Sequence, residues 1–203
     1  MNVDWSIVGS GFAGAIIGAA AALLGVFVSH VLSMRAERRA EELRRFRYLQ
    51  ALYEEIYVFW HAYSDAVGSA LSTLDDGGIL DKYFTQPENV FAVFDGTVNQ
   101  LGSLKEVDLR SLVVTTYSQA KRIVNQMALH NETLRKWENA YWDHREASSE
   151  LMEIKCEKLE GRKRALMAST RALVEMHKDL KLNAERLLRE MQKGGVLDSV
   201  RNE

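Results

Sequence analysis

The sequence predicts an all-α protein: a single N-terminal transmembrane helix that continues into a cytoplasmic antiparallel helical bundle of long helices. Three observations predict it. No Asp, Glu, Lys or Arg lies between Asp4 and Arg35. Beyond that run, apolar residues recur in three- and four-residue steps, the period of one helix face. The 203 residues include one proline, Pro87, so helix interiors are broken almost nowhere.

The apolar run covers residues 7–32 and exceeds the roughly 20 residues that cross a bilayer core. Its polar positions, Ser10, Ser29 and His30, sit near its ends. Trp5 falls where an interfacial aromatic anchor belongs. A cleaved signal peptide fits poorly, because no basic segment precedes the run and an arginine-rich one follows it. Arg35, Arg38, Arg39, Arg44, Arg45 and Arg47 lie on one flank and only Asp4 on the other. Positive charge is retained in the cytoplasm, so the expected topology is single-pass in a bacterial inner membrane. Residues 1–6 are then external, 7–34 span the bilayer and 35–203 form the cytoplasmic domain. The same arginines can meet anionic headgroups.

Small residues in the run are segregated. At about 100° per residue, Ser10, Gly14, Gly18, Ala21, Gly25 and Ser29 share one stripe, with Ala22 extending the Gly14-x-x-x-Gly18 pair. Phe12, Ile16, Leu23, Leu24 and Phe27 lie opposite. Small residues let helix backbones approach closely in lipid, so the stripe predicts self-association into a homo-oligomer.

The first soluble stripe is Leu49, Leu52, Ile56, Phe59, Tyr63, Val67, Ala70 and Leu74. Asp75, Asp76, Gly77 and Gly78 then stop the helix. A short helix is expected over residues 88–101, opened by Pro87 and weakened by Gly96. A third begins near Asp108 as N-cap. It carries Leu112, Val113, Tyr117, Ala120, Ile123, Val124, Met127, Leu134, Trp137 and Tyr141. A turn leads to the last helix, which carries Leu151, Ile154, Leu159, Leu166, Leu173, Met176, Leu180, Leu187 and Met191; residues 144–149 and Gly161 are both open to it, and the first is preferred because it gives helices of comparable length. Gly194 and Gly195 end it.

Chemistry is sparsely signalled. The net charge of −2 argues against nucleic-acid binding by bulk charge, and the arginine cluster lacks aromatic platforms. The lone Cys156 cannot form an internal disulfide. His30, His61, His130, His144 and His177 have no metal-ligand companions at the required spacing, and each is expected at a surface or edge. The residues three positions before them include no Glu, so a di-iron bundle site is missing. No P-loop, dinucleotide fingerprint or nucleophile elbow is present. No catalytic, cofactor or metal site is expected. Asn131-Glu-Thr133 is a formal glycosylation sequon on an expected cytoplasmic helix. Tyr53, Tyr57, Phe59, Trp60 and Tyr63 form an aromatic cluster. Core packing accounts for most of it, but Tyr53, Tyr57, Trp60 and Tyr63 are also candidates for a partner surface.

Residues 52–134 carry Leu52-Tyr-Glu-Glu-Ile56, Tyr83-Phe-Thr-Gln-Pro87, Val93-Phe-Asp-Gly96, Leu101-Gly-Ser-Leu104 and Val113-Val-Thr-Thr-Tyr117. In these the chain resembles a family of small bacterial membrane proteins of anti-phage defence islands, among them transmembrane effectors encoded beside retron reverse transcriptases. The resemblance implies an abortive-infection role: a toxin held inactive by a protein or reverse-transcriptase ribonucleoprotein partner, then damaging the inner membrane. Members with two membrane helices are part of that family picture, whereas this chain has one apolar run. The competing expectation is a non-toxic membrane-anchored adaptor or scaffold.

Overall fold

A computed structural model describes residues 5–75, 77–85 and 89–193, with side chains from residue 25 onward. The described residues form helices and connecting loops, with no strand. Helix α1 spans Trp5–Tyr63 and passes into a π-helical turn, Ser64–Gly68, and then α2, Ser69–Thr73. Helix α3 covers Ala92–Thr97 and runs into a 3-10 turn, Val98–Ser103. Helices α4, Val107–Arg145, and α5, Met152–Lys193, form a long antiparallel hairpin.

The chain divides into two compact units, Met1–Phe46 and Arg47–Glu203. The first is helical over its described backbone. Its described side chains are mostly exposed, Val26, Phe27, Val28 and Leu32 included. Among the described residues no helix is long and apolar enough to cross a membrane. Most of the apolar run expected to do so, residues 7–24, has no described side chains.

The second unit holds the core. Stripes of 3.6-residue period bury one face of each long helix, which is what stabilises a bundle in water. On α1 the predicted stripe Leu49, Leu52, Ile56, Phe59 and Tyr63 is buried, and Tyr48, Tyr53 and Trp60 widen it. The π turn then alters the phase: Val67, Gly68 and Leu71 are buried, whereas Ala70 and Leu74 are half-buried. Its wider loop is closed by the Ser69 N–H donating to the Ser64 carbonyl, five residues back, and that extra residue moves the stripe.

Helix α2 ends where Leu74 becomes extended, and Gly77 adopts φ +86°, a conformation glycine accepts without strain. The predicted helix over 88–101 is shorter than expected. Asn89 sits at φ 59° and Gly96 leaves only six residues of α-helix before the 3-10 turn. Pro87 lies outside the described residues. Asp108 is not the N-cap. It stands in the first turn of α4, where its charge still complements the helix dipole.

The α4–α5 turn falls between Arg145 and Met152, at the preferred of the two sites the sequence leaves open, and Gly161 lies inside α5. Two groups of predicted core residues do not pack inward. Tyr141 is exposed on α4, and Leu151 and Ile154 are exposed at the start of α5. Buried positions on α5 begin only at Leu166. From there toward Lys193, α1, α2 and the segment after α2 supply partners: Leu80 meets Thr170, Ser72 and Tyr63 meet His177, and Tyr53 meets Gln192. Near the turn the two helices face mainly each other.

Candidate functional site

The sequence-predicted sites fare unevenly. Ser10, Gly14, Gly18, Ala21 and Ala22 lie outside the residues with described side chains, while Gly25 and Ser29 are exposed. A Cβ at Gly25 would meet nothing within 4 Å, so the described end of the stripe is open. Arg35, Arg38, Arg39, Arg44 and Arg47 are exposed and Arg45 is half-buried.

The aromatic partner surface is corrected. Tyr53, Trp60 and Tyr63 are buried, and only Tyr57 is exposed. Their faces are spent on neighbours within the bundle. The Tyr53 hydroxyl accepts from Gln192 Nε2 at 2.9 Å. Trp60 stacks on His177 with 13° between the rings, and Tyr63 meets Phe84 edge-on. Phe59, Phe91, Phe94 and Tyr117 continue the cluster, so it is a core.

The histidine expectation is corrected as well. His30 and His61 are exposed and His144 is half-buried, but His130 is fully buried and His177 is 3% exposed. Both occupy the apolar stripes of their helices, in the series Ile123, Met127, His130, Leu134 and Leu173, His177, Leu180, Ala184. That placement was the signal available in the sequence. What it could not supply was their partners, which lie on other elements.

His130 ties the segment after α2 to the hairpin. Its Nε2 donates to the Leu80 carbonyl at 2.9 Å, which leaves Nδ1 to accept from Ser169 Oγ at 3.1 Å. Leu80 N–H donates to Thr170 Oγ1. Next to it, Asn131 brackets Phe84, accepting from its N–H at 3.2 Å and donating to its carbonyl at 2.8 Å. The sequon asparagine is thus spent on holding the loop. Burial pushes the His130 pKa down, opposed in part by the Leu80 carbonyl.

His177 sits between two hydroxyls. Tyr63 Oη is 3.0 Å from Nδ1 and Ser72 Oγ is 2.8 Å from Nε2. Gly68 makes room for the ring: a Cβ there would lie 3.3 Å from His177 Cε1 and 3.3 Å from Tyr63 Cε1. Burial lowers the His177 pKa, with the Lys181 charge adding to it, and burial raises that of Tyr63. The ring is therefore neutral at pH 7, and the phenol keeps its proton.

Those protonation states fix the direction of the chain. Nδ1 is the hydrogen-bond partner of the Tyr63 hydroxyl among the described residues. A buried donor needs an acceptor, so Tyr63 donates to Nδ1. Nε2 then carries the hydrogen and donates to Ser72. A serine nucleophile needs the opposite tautomer, with Nε2 free to take its proton. Ser72 is positioned as an acceptor toward His177 and a donor on its other side.

Ser72 and His177 line a cavity of about 550 Å³ between α2, the residues Asp75, Gly77 and Gly78, and α5. A second, more apolar cleft of about 750 Å³ runs along α1 beside Ala51, Val58, Ala62 and Ala66, walled by Phe84 and Val90. Glu55 borders that cleft. Its carboxylate caps α3 from across the fold, accepting from Val93 N–H at 2.7 Å and Phe94 N–H at 3.0 Å. No group of His, Cys, Asp or Glu among the described residues could hold a metal ion. Cys156 is exposed.

Comparison with protein-family models, with curated proteins and with solved structures found no match.

Proposed function

We propose that the chain is a membrane-anchored effector of a bacterial anti-phage system, with residues 7–34 in the inner membrane and the helical bundle in the cytoplasm. In this reading partners hold it inactive until infection, and its release damages the membrane through self-association along the small-residue stripe. The single observation that carries the membrane part is the apolar run from Trp5 to Met34, which holds no Asp, Glu, Lys or Arg. Val26, Phe27, Val28 and Leu32 support it, since they expose apolar surface that water disfavours and lipid does not. The toxic role rests on the resemblance of residues 52–134 to retron-associated effectors.

A second reading, a non-toxic membrane-anchored adaptor, is favoured by a different observation. Tyr141, Trp142, Leu151, Met152 and Ile154 are exposed around the α4–α5 turn, a set suited to contact with another protein. One measurement tests the topology that both readings share, and a second separates them. A reporter fused after Glu203 is expected to be cytoplasmic and one fused before Met1 external; a C-terminal reporter active outside the cytoplasm rules out the topology. Overexpression, alone or with phage challenge, is expected to depolarise cells. Fully maintained membrane potential under both conditions would leave the adaptor.

A further inference from the structure

The strap after α2, residues 79–85, is held against the hairpin as a bound peptide is held. It forms neither helix nor strand, and among the described residues its backbone makes no hydrogen bond to other backbone. Side chains of α4 and α5 take its main-chain groups instead. Thr170 accepts from the Leu80 N–H at 3.3 Å, and His130 donates to the Leu80 carbonyl at 2.9 Å. Asn131 does both for Phe84, at 3.2 Å and 2.8 Å. Two side chains anchor the strap. Leu80 is buried, and Phe84 is half-buried with its ring edge-on to Tyr63. Asp81, Lys82 and Tyr83 between them are exposed. Main-chain contacts accept almost any residue, so the groove selects a leucine and, four residues on, an aromatic ring.

The groove is built apart from its occupant. Ser169 Oγ lies 3.1 Å from His130 Nδ1 and sets the ring, and His130, Asn131 and Thr170 all stand on the long helices of the hairpin. A site fixed in advance loses little freedom on binding. Emptying it is costly, because His130 and Thr170 are buried and an unpaired buried polar group is unfavourable. Exchange for the main chain of a second peptide keeps both paired. At the start of the strap, Gly77 at φ +86° and Gly78 supply backbone freedom. Replacement of the strap is therefore favoured over simple opening.

We propose that the groove of His130, Asn131 and Thr170 is a protein-docking site that the strap occupies in cis. The partner it fits is a non-helical segment of another protein with the strap's own pattern, a leucine followed four residues later by an aromatic. The inference rests on the bundle alone and holds for an effector and for an adaptor.

The test uses the full chain in a neutral detergent and a fluorescent synthetic peptide of residues 78–85, Gly-Ile-Leu-Asp-Lys-Tyr-Phe-Thr, followed by anisotropy. Leu80→Gly and Phe84→Ala loosen the strap from either end and leave the groove side chains in place. Both variants, checked for helix by circular dichroism, should bind the peptide saturably. The unaltered chain should bind at least about tenfold more weakly, because its own strap competes at high effective concentration. Adding Asn131→Ala to either variant should weaken binding about tenfold, the scale of a lost pair of hydrogen bonds. A peptide with aspartate in place of its leucine should not bind. Absence of saturable binding to both loosened variants would overturn the proposal. So would binding that is equal in the unaltered chain, indifferent to Asn131→Ala, or retained by the aspartate peptide.

Discussion

The Tyr63 hydroxyl lies 3.0 Å from His177 Nδ1, joining the last residue of α1 to the middle of α5 across 114 residues of sequence. Both side chains are buried, so neither has water as an alternative partner. Tyr63→Phe keeps the ring and removes the donor. The stranded imidazole nitrogen should cost about 1–3 kcal/mol of stability. Urea unfolding of the full chain in detergent measures it, and a loss well under 0.5 kcal/mol, in the range of about ±0.5 kcal/mol typical of neutral surface changes, would contradict the pairing.

Acid should destabilise the bundle through its two buried histidines. Both have folded-state pKa values lowered by burial. A lowered histidine stabilises the fold fully above its unfolded value of about 6.5, where both states are neutral. That stability is lost as pH falls from there through the folded-state pKa, because only the unfolded chain takes up the proton readily. The urea midpoint should therefore fall as the pH drops below about 6.5. His130→Gln should flatten that slope even though it lowers stability at pH 8. Depressed carboxylates such as Asp143 act in a lower window, below about pH 4.

The Glu55 cap predicts a local effect. Glu55→Ala should free the Val93 and Phe94 amides and cost about 0.5–2 kcal/mol, the range for losing a helix cap. Hydrogen exchange should accelerate at those two amides before the α4–α5 hairpin is affected. Exchange that rises uniformly across the bundle would instead make Glu55 a general core residue.

The membrane stripe predicts an asymmetry between two substitutions. Gly18→Leu places bulk on the proposed close-contact face and should reduce crosslinked oligomer, whereas Leu24→Ala on the opposite face should not. Equal crosslinking yields would remove the stripe as an interface.

The sequence by itself determined the helical class, the pair of long helices α4 and α5, and most of the core, because a 3.6-residue apolar period is local information; between two possible turns, at 144–149 and at Gly161, the structure has the first. Leu52, Ile56, Tyr117, Leu173 and Leu187 follow it directly, and the stop after α2 follows from Gly77. Only the tertiary structure decided what the polar residues in those stripes do. His130 and His177 stand at core positions, but their hydrogen-bond partners come from Leu80, Ser169, Tyr63 and Ser72, at separations no local pattern encodes. The aromatic set around Tyr53 and Trp60 likewise has one periodicity whether it packs a core or a partner, and neighbours such as Gln192 decided for the core. At the other end of α5, Leu151 and Ile154 obey the period yet are exposed. Periodicity gives a side chain its face, but burial needs a second surface at the same height, and only the packed fold determines where that surface ends.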